Sequence, residues 1–289
     1  MRFHPGNHWR EIVVAGDVRS YLVHVPEGLS DTHPVRLILA FHGRGIDAEG
    51  MVRLCGMSEL AEREGFIVVY PNGRPELIGG RGWSLDYDAN ALVTGSAELP
   101  FVEFLLDQLI REYEIDADHV YALGFSNGGM LCYALARWMS ERFTAIGSVA
   151  GIVDFAPFEL RTPISIIHIH GTRDRFIPFQ GGLTARKDLP IVFPPVREML
   201  DHWRGVTGCI TLRHSEELID QNDPTLVTHI EDFGPGIGNS SMKIVTVTSG
   251  GHTWPGRPPM VSYLGKWTTA FSASELITSF FRQAAISSR

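Results

Sequence analysis

The chain has 289 residues, of which 44% are hydrophobic and 20% are charged, and its formal net charge is -8. A chain of this length can bury one large core, so we expect a single domain over residues 1–289. Acidic and basic residues form no long run of one sign, which argues against a nucleic-acid partner, and no apolar stretch is long enough to span a membrane. The cysteines Cys55, Cys132 and Cys209 are an odd number at wide spacings, which suggests neither a disulfide framework nor a metal site.

The order of apolar segments predicts an α/β architecture. EIVVAGDVRSYLVHVP predicts two strands around a Gly16-Asp17 turn, which would form an antiparallel hairpin at the edge of a sheet. VRLILAF and FIVVYP are apolar almost throughout, as strands covered on both faces are, and residues 47–64 between them predict a helix. Strands and helices continue to alternate as far as the closing helix SASELITSFFRQ. This alternation predicts a mainly parallel sheet with helices on both faces.

Two stretches interrupt the alternation. Residues 71–96 are rich in glycine and polar residues and too long for a simple connection, so we expect a functional or mobile loop. Residues 208–241 contain two predicted strands, CITLRH and TLVTHIEDF, joined by the turn-like segment Gln221-Asn222-Asp223-Pro224. We expect this second stretch to extend the sheet with antiparallel strands.

The segment GFSNGGM, residues 124–130, is the strongest chemical signal in the chain. It places Ser126 in the pattern G-x-S-x-G, between the apolar strand HVYAL and a segment with apolar residues at helical spacing. A sharp strand-to-helix turn of this kind, called a nucleophile elbow, forces the serine into strained backbone geometry and holds its hydroxyl clear of the fold. Ser126 is therefore the candidate nucleophile.

A serine hydroxyl needs a base to take its proton and an acid to orient that base. His252 is the candidate base, because it lies in the glycine-flanked loop GGHTWPG directly after the strand KIVTVTS. Asp174 in HGTRD, after the strand PISIIHI, is the first candidate for the acid, and Asp154, after TAIGSVAG, is the alternative. The order serine, acid, histidine is that of α/β-hydrolases.

Two backbone N–H groups are expected to bind a tetrahedral oxyanion. The N–H of Asn127, directly after the nucleophile, supplies the first. The second comes from HGRG after VRLILAF, and we assign it to the N–H of Arg44, with Gly43 or Gly45 as alternatives. This chemistry implies no cofactor.

Basic and aromatic side chains lie on the two loops that are expected to border the oxyanion side of the cleft: Arg44, Arg74, Arg81 and Trp83. An aromatic ring beside guanidinium groups suits an acyl group that ends in a ring or a carboxylate. We therefore expect Arg81 and Trp83 to bind substrate, together with Trp254 of the GGHTWPG loop.

With these motifs the chain resembles the α/β-hydrolases grouped as poly(3-hydroxybutyrate) depolymerase-like and feruloyl esterase-like proteins, of carbohydrate esterase family one. The matching segments are FHGRG, DADHVYALGFSNGGMLCYALA with FTAIGSVAG, HGTRDRFIPF, GGHTWPG and SASELITSFF. The resemblance implies the α/β-hydrolase fold and hydrolysis of carboxylic esters. It also implies Ser126, Asp174 and His252 as the catalytic triad, and so favours Asp174 over Asp154.

Many members of that group are secreted and carry disulfides or a substrate-binding module. The start MRFHPGNHWREIVV has no apolar signal-peptide core, so we expect a cytoplasmic protein, or a secreted one if a leader has been removed. We therefore expect small or oligomeric ester substrates, of hydroxyalkanoate or hydroxycinnamate type, rather than a polymer. The alternatives are a peptidase or acyltransferase on the same fold, or a catalytically silent binding protein. The oligomeric state is not predicted.

Overall fold

A computed structural model describes residues 4–29, 35–76, 79–87, 93–153, 157–185 and 191–287. Its main feature is a 10-stranded sheet, whose strands we number in chain order. The strands are β1 (Gly6–Val14), β2 (Asp17–Val25), β3 (Val35–Phe41), β4 (Phe66–Pro71), β5 (Ile115–Phe125), β6 (Ala145–Val149), β7 (Ser165–Gly171), β8 (Leu212–Ile219), β9 (Val227–Phe233) and β10 (Met242–Thr248). Across the sheet they lie in the order β1-β2-β4-β3-β5-β6-β7-β10-β9-β8.

The centre of the sheet is parallel and both of its flanks are antiparallel. Strands β4, β3, β5, β6, β7 and β10 are neighbours that run in one direction. The hairpin of β1 and β2 joins β4 on one side, and β9 and β8 follow β10 on the other. The predicted mainly parallel sheet and the N-terminal hairpin are confirmed, and residues 208–241 form the predicted antiparallel extension.

Helices cover both faces of the sheet. They are α1 (Ala48–Cys55), α2 (Met57–Glu64), α3 (Leu99–Tyr113), α4 (Asn127–Trp138), α5 (Val196–Thr207) and α6 (Ala273–Ser287). Leu37 and Leu39 of β3 pack into the core under α3, α4 and α5, whereas Ile38 and Ala40 pack into the core under α1, α2 and α6. Because both faces of β3 are buried, every position of this strand selects an apolar residue, except Arg36 near its start.

Three local predictions were wrong in their boundaries. Residues 47–64 form two helices rather than one, because Gly56 has a left-handed φ of 60° that ends α1 and starts α2. The hairpin turn is Ala15-Gly16, one position earlier than predicted, with positive φ at both residues. The strand predicted at CITLRH is β8, Leu212–Ile219, an outer strand whose side chains are nearly all exposed. An exposed strand has no apolar face to mark its ends.

Strand β8 has two further properties of an outer strand. Its exposed residues include Arg213, Glu216 and Glu217. Its pairing with β9 shifts register between Leu212 and His214.

No helix among the described residues is long and apolar enough to cross a membrane. The three cysteines are buried and unpaired.

The described residues of the stretch 71–96 form two short ladders. Arg74–Pro75 pairs with Arg81–Gly82, and Asp86–Tyr87 pairs with Val93–Gly95. A buried ion pair at the end of this stretch joins Arg19 of β2 to Glu98, with 2.8 Å between the charged atoms.

Breaking this ion pair should destabilise the protein more than breaking an exposed one. Glu98→Ala should lower the free energy of unfolding by about 3 to 5 kcal/mol, because it leaves the guanidinium of Arg19 buried without its counter-charge. The double variant Arg19→Met with Glu98→Leu should recover most of that loss. Glu49→Ala, which removes the exposed pair with Arg53, is the control and should cost less than about 1 kcal/mol. Urea denaturation measures all of these values, and an equal cost for both single variants would contradict the prediction.

Candidate active site

Ser126 lies directly after β5 and directly before α4, in a strained conformation with φ 53° and ψ -117°. The two glycines of the motif are required by close approach of the backbone. A Cβ atom on Gly124 would lie 2.3 Å from the backbone of Gly128, and a Cβ atom on Gly128 would lie 2.3 Å from the carbonyl oxygen of Phe41. The N–H of Ser126 donates to the carbonyl of Val149 at 2.8 Å, which fixes the elbow to β6.

Parallel neighbouring strands bring the candidate residues to one edge of the sheet. Ser126 follows β5, Asp174 follows β7, and His252 follows β10, and in the order β5-β6-β7-β10 these parallel strands end at the same edge of the sheet. The loops after β7 and β10 are joined, since the N–H of Arg173 donates to the carbonyl of Gly250 at 2.8 Å.

Asp174 and His252 make the contact that a catalytic acid and base require. Nδ1–H of His252 donates to Oδ2 of Asp174 at 2.6 Å, and both side chains are buried. The other carboxylate oxygen, Oδ1, accepts the N–H groups of Phe176 and Ile177 at 2.8 and 2.9 Å. Because the carboxylate fixes the proton of His252 on Nδ1, Nε2 is left to accept a proton, as a general base must.

The environment of Asp174 favours its charged form. Burial by itself would raise the pKa of Asp174, but the neighbouring His252 and His170 and the N–H of Ile177 outweigh burial and hold the pKa below its ordinary value. Asp174 is therefore ionised at neutral pH and can stabilise an imidazolium.

The ring of Phe125, which directly precedes Ser126, lies with its centroid 4.9 Å from that of the His252 imidazole. This contact places the histidine beside the elbow. Asp154, the alternative acid, lies outside the described residues. The geometry supports Ser126, Asp174 and His252 as a triad, and the assignment stays a prediction for kinetics to test.

One backbone hydrogen bond reduces the number of candidates for the second oxyanion donor. The N–H of Asn127 belongs to the first turn of α4, where the helix dipole favours a negative charge. The N–H of Gly45 donates to the carbonyl of Arg81 at 2.8 Å and is thus already used. Of the three candidates for the second donor, Arg44 and Gly43 remain. Within the described ranges, no group of three or more His, Cys, Asp or Glu side chains is arranged to hold a metal ion.

The two tryptophans predicted to bind substrate are buried. Trp83 is 1% exposed and donates its indole N–H to the carbonyl of His42 at 2.8 Å. Trp254 is 0% exposed and donates to Oγ of Ser274 at 2.9 Å. Their indole N–H groups are satisfied within the protein and their rings offer no surface to a ligand, so burial contradicts the predicted contacts.

The two arginines contact the protein itself. Nη1 of Arg81 donates to the carbonyl of Gly73 at 3.0 Å, and Nη2 of Arg44 forms an ion pair with Glu76 at 2.9 Å. These contacts hold the neighbouring loops together. A substrate contact of Arg81 stays a prediction.

Sequence reasoning missed the side chains that join the loops around the elbow. The amide of Asn127 accepts the N–H of Trp83 at 2.7 Å and donates to the carbonyl of Trp83 at 3.1 Å. His42 donates from Nδ1 to the carbonyl of Gly43 and accepts the N–H of Gly73 at Nε2. The residue types stand in the motifs, but Trp83 and Gly73 lie far from Asn127 and His42 in the chain, so only the fold shows the bonds between them.

An aromatic pair beside His252 was also missed. The ring centroid of Phe176 lies 5.2 Å from that of His252 and 6.1 Å from that of Tyr263, whose residue surface is 68% exposed. No motif in the sequence connects Tyr263 with the site.

His42 should make stability depend on pH. Burial lowers the pKa of His42 to about 4. The unfolded chain binds a proton at this residue below about pH 6.5, whereas the folded protein does so only near the lower value. The contribution of His42 is therefore complete above pH 6.5 and decreases by about 1.4 kcal/mol per pH unit on acidification towards the folded pKa.

The test is urea denaturation between pH 6 and 5, between the unfolded and folded pKa values of His42. His42→Gln should reduce the slope of unfolding free energy against pH by about 1.4 kcal/mol per unit, relative to wild type. His214→Gln, at an exposed position on β8, is the control and should keep the wild-type slope. Identical slopes for all three proteins would show that His42 titrates alike in the folded and unfolded states.

Comparison with known proteins identifies relatives of the chain. The model of the prolyl oligopeptidase family matches residues 56–175. Esterase NocK from Nocardia uniformis subsp. tsuyamanensis is 33% identical over 260 residues, which cover 86% of this chain and 74% of that protein. Feruloyl esterase C from Emericella nidulans is 28% identical over 172 residues, and the match spans 57% of this chain and 58% of that protein.

Among solved structures, an acetyl xylan esterase from Aspergillus awamori matches with a TM-score of 0.64 at 17% sequence identity. The match covers 95% of this chain and 99% of the esterase, and it shows a common fold. The identity to NocK over most of both chains, together with the elbow and the sheet order, establishes that the chain belongs to the same family of α/β-hydrolase esterases as NocK.

Proposed function

We propose that this protein hydrolyses small or oligomeric carboxylic esters, of hydroxyalkanoate or hydroxycinnamate type, through an acyl-enzyme on Ser126. The ester-hydrolase activity follows from the family to which the chain belongs. The observation that supports the mechanism is the 2.6 Å contact between His252 and the buried Asp174, beside a serine in elbow geometry. A relative named feruloyl esterase C supports the hydroxycinnamate class.

The mechanism has two steps of the same kind. Oγ of Ser126 attacks the ester carbonyl while Nε2 of His252 takes its proton, and the N–H groups of Asn127 and Arg44 bind the oxyanion. His252 then gives the proton to the leaving alcohol, and the acyl group stays on Ser126. A water molecule then attacks the carbonyl of the acyl-enzyme while His252 takes its proton. His252 returns the proton to Oγ of Ser126, and the carboxylic acid is released. Asp174 keeps the imidazole in the required tautomer and stabilises its protonated form.

A peptidase is the second candidate function. The match of residues 56–175 to the prolyl oligopeptidase family favours it, because the same triad chemistry can cleave amides. The two functions differ in the leaving group, so matched ester and anilide substrates with one acyl group distinguish them. We expect the ester to be cleaved and the anilide to react far more slowly.

Substitution in the triad tests the mechanism. Ser126→Ala should abolish hydrolysis of short p-nitrophenyl esters, methyl ferulate and 3-hydroxybutyrate oligomers. Asp174→Asn should lower kcat by about 10⁴, because the imidazole loses the carboxylate that sets its tautomer. Asp154→Asn is the matched control and should keep activity close to wild type. Steady-state kinetics on the three ester classes give these values, and near-normal activity of Ser126→Ala would refute the acyl-enzyme.

The position of Phe176 and Tyr263 supports a further part of the proposal. His252 protonates the leaving alcohol, so a ring in contact with His252 borders the alcohol side of the site. Tyr263 contacts Phe176 and exposes most of its surface. An exposed aromatic face suits the planar or ring-shaped alcohol of an aryl or sugar ester. We assign the alcohol subsite to this aromatic pair, in place of the buried tryptophans.

Removal of the exposed ring should change selectivity for the alcohol. Tyr263→Ala should lower kcat/KM for aryl and glycosyl acetates by about 3- to 10-fold, the size of one aromatic contact, and leave kcat/KM for ethyl acetate nearly unchanged. The rate of deacylation should stay the same, since the alcohol has left by then. Phe104→Ala removes a comparably exposed ring on α3 and is the control. Burst kinetics separate the two steps, and a uniform loss on every ester would refute the alcohol subsite.

A further inference from the structure

A chain of buried polar side chains leads to Asp174 from the helix after the elbow. The hydroxyl of Tyr133 in α4 lies 2.9 Å from Nδ1 of His168, and Nε2 of His168 lies 3.1 Å from Nδ1 of His170. Nε2 of His170 lies 2.9 Å from the carbonyl oxygen of Ile177 and 3.4 Å from Oδ2 of Asp174. All of these side chains are buried, and the mechanism above uses only the last.

The carbonyl of Ile177 sets the direction of every hydrogen bond in the chain. A carbonyl oxygen only accepts, so the proton of His170 is on Nε2 and its Nδ1 is an acceptor. His168 must then donate from Nε2, and its Nδ1 accepts the hydroxyl proton of Tyr133. Burial lowers the pKa of His168 and the pKa of His170, so both rings are neutral at pH 7. All the donors therefore point from α4 towards Asp174.

His170 is a further polar neighbour of the carboxylate. Oδ1 of Asp174 accepts the N–H groups of Phe176 and Ile177, and Oδ2 accepts Nδ1–H of His252. Nε2–H of His170 donates to the carbonyl of Ile177, and this polar edge of the ring lies 3.4 Å from Oδ2. The imidazole of His252 changes its charge during turnover, whereas the neutral edge of His170 gives Oδ2 a favourable electrostatic contact that stays the same throughout.

We infer that His170 is a positioning residue of the esterase site: its Nε2–H edge, held in place by Ile177 on one side and by His168 and Tyr133 on the other, lies against Oδ2 of Asp174 and keeps it aimed at His252. The inference rests on the proposed roles of Asp174 and His252. His170 acts through Asp174 and touches no reacting atom. Loss of its donor should therefore lower kcat and leave KM nearly unchanged.

Two variants of His170 separate the donor from the shape of the side chain. His170→Phe keeps a ring and removes the donor, and we expect kcat to decrease by about 10- to 100-fold, the cost of a slightly misplaced catalytic group, with KM within about 3-fold of wild type. His170→Gln places an amide N–H at a similar reach and should keep kcat within about 5-fold of wild type. Equal kcat values for His170→Phe and wild type would overturn the inference.

Tyr133→Phe tests the far end of the chain without a change of shape. It removes only the hydroxyl that donates to Nδ1 of His168, so the ring of His168 and the neighbouring ring of His170 are held less firmly, and kcat should decrease by about 2- to 5-fold. Tyr121→Phe is the matched control, because Tyr121 is also a buried tyrosine and its hydroxyl has no hydrogen-bond partner among the described residues. If His170→Phe does not fold, the tyrosine pair decides the matter, and equal kcat values for the two variants overturn the inference.

Two measurements need no substrate and so separate this inference from the proposed function. The Nδ1–H proton of His252 should give a downfield proton NMR resonance, which His170→Phe should shift or broaden while His170→Gln keeps it. In His170→Phe, the rate at which a fluorophosphonate labels Ser126 should decrease by the same factor as kcat. Mass spectrometry follows the labelling. A wild-type protein that is labelled but cleaves no ester would refute the proposed function. The labelling rates of the His170 variants would still test the inference. An unchanged resonance and labelling rate in His170→Phe would overturn the inference.

Discussion

The strained backbone of Ser126 is the constraint around which the site is organised. A non-glycine residue held at φ 53° raises the free energy of the folded state by on the order of 1 to 3 kcal/mol. The surrounding contacts must offset this strain. The core of the sheet holds β5 and α4 on either side of the turn, and the carbonyl of Val149 holds the N–H of Ser126. The close approach of α4 to β3 then leaves no space for a side chain at Gly128.

Much of the site could be predicted because its signals are local. Ser126, Asp174 and His252 each lie within about four residues of the end of an apolar strand, and parallel strands that alternate with helices must bring their carboxyl ends together. The burial of the two tryptophans was not predicted, because it depends on contacts between residues that are distant in the chain. Whether Trp83 is exposed depends on His42, a partner far away in the chain, and a glycine-rich sequence context does not reveal it. The end of α1 at Gly56 depends on a left-handed φ that a glycine permits without requiring.

Asn127 combines two tasks at one position. Its backbone N–H is the proposed first donor to the oxyanion, while its side-chain amide bonds to both the N–H and the carbonyl of Trp83. The second task needs one donor and one acceptor at a fixed reach from the backbone. Asp supplies only acceptors when ionised, and Gln is longer by one methylene. The identity of this residue is therefore constrained more strongly than a backbone donor alone would require, and its amide connects the backbone at Trp83 to the elbow.

The outer strand β8 affects whether a strand of another chain can pair with this edge of the sheet. An unpaired strand edge offers a row of N–H and carbonyl groups to which the strand of another chain can add. In β8 the charges of Arg213, Glu216 and Glu217 and the register shift near Leu212 make that edge uneven and costly to cover. These features disfavour the addition of a strand from another chain at this edge. Because β8 is remote from the catalytic edge, substitutions that remove its charges should favour strand addition between chains and leave the geometry of the triad unchanged.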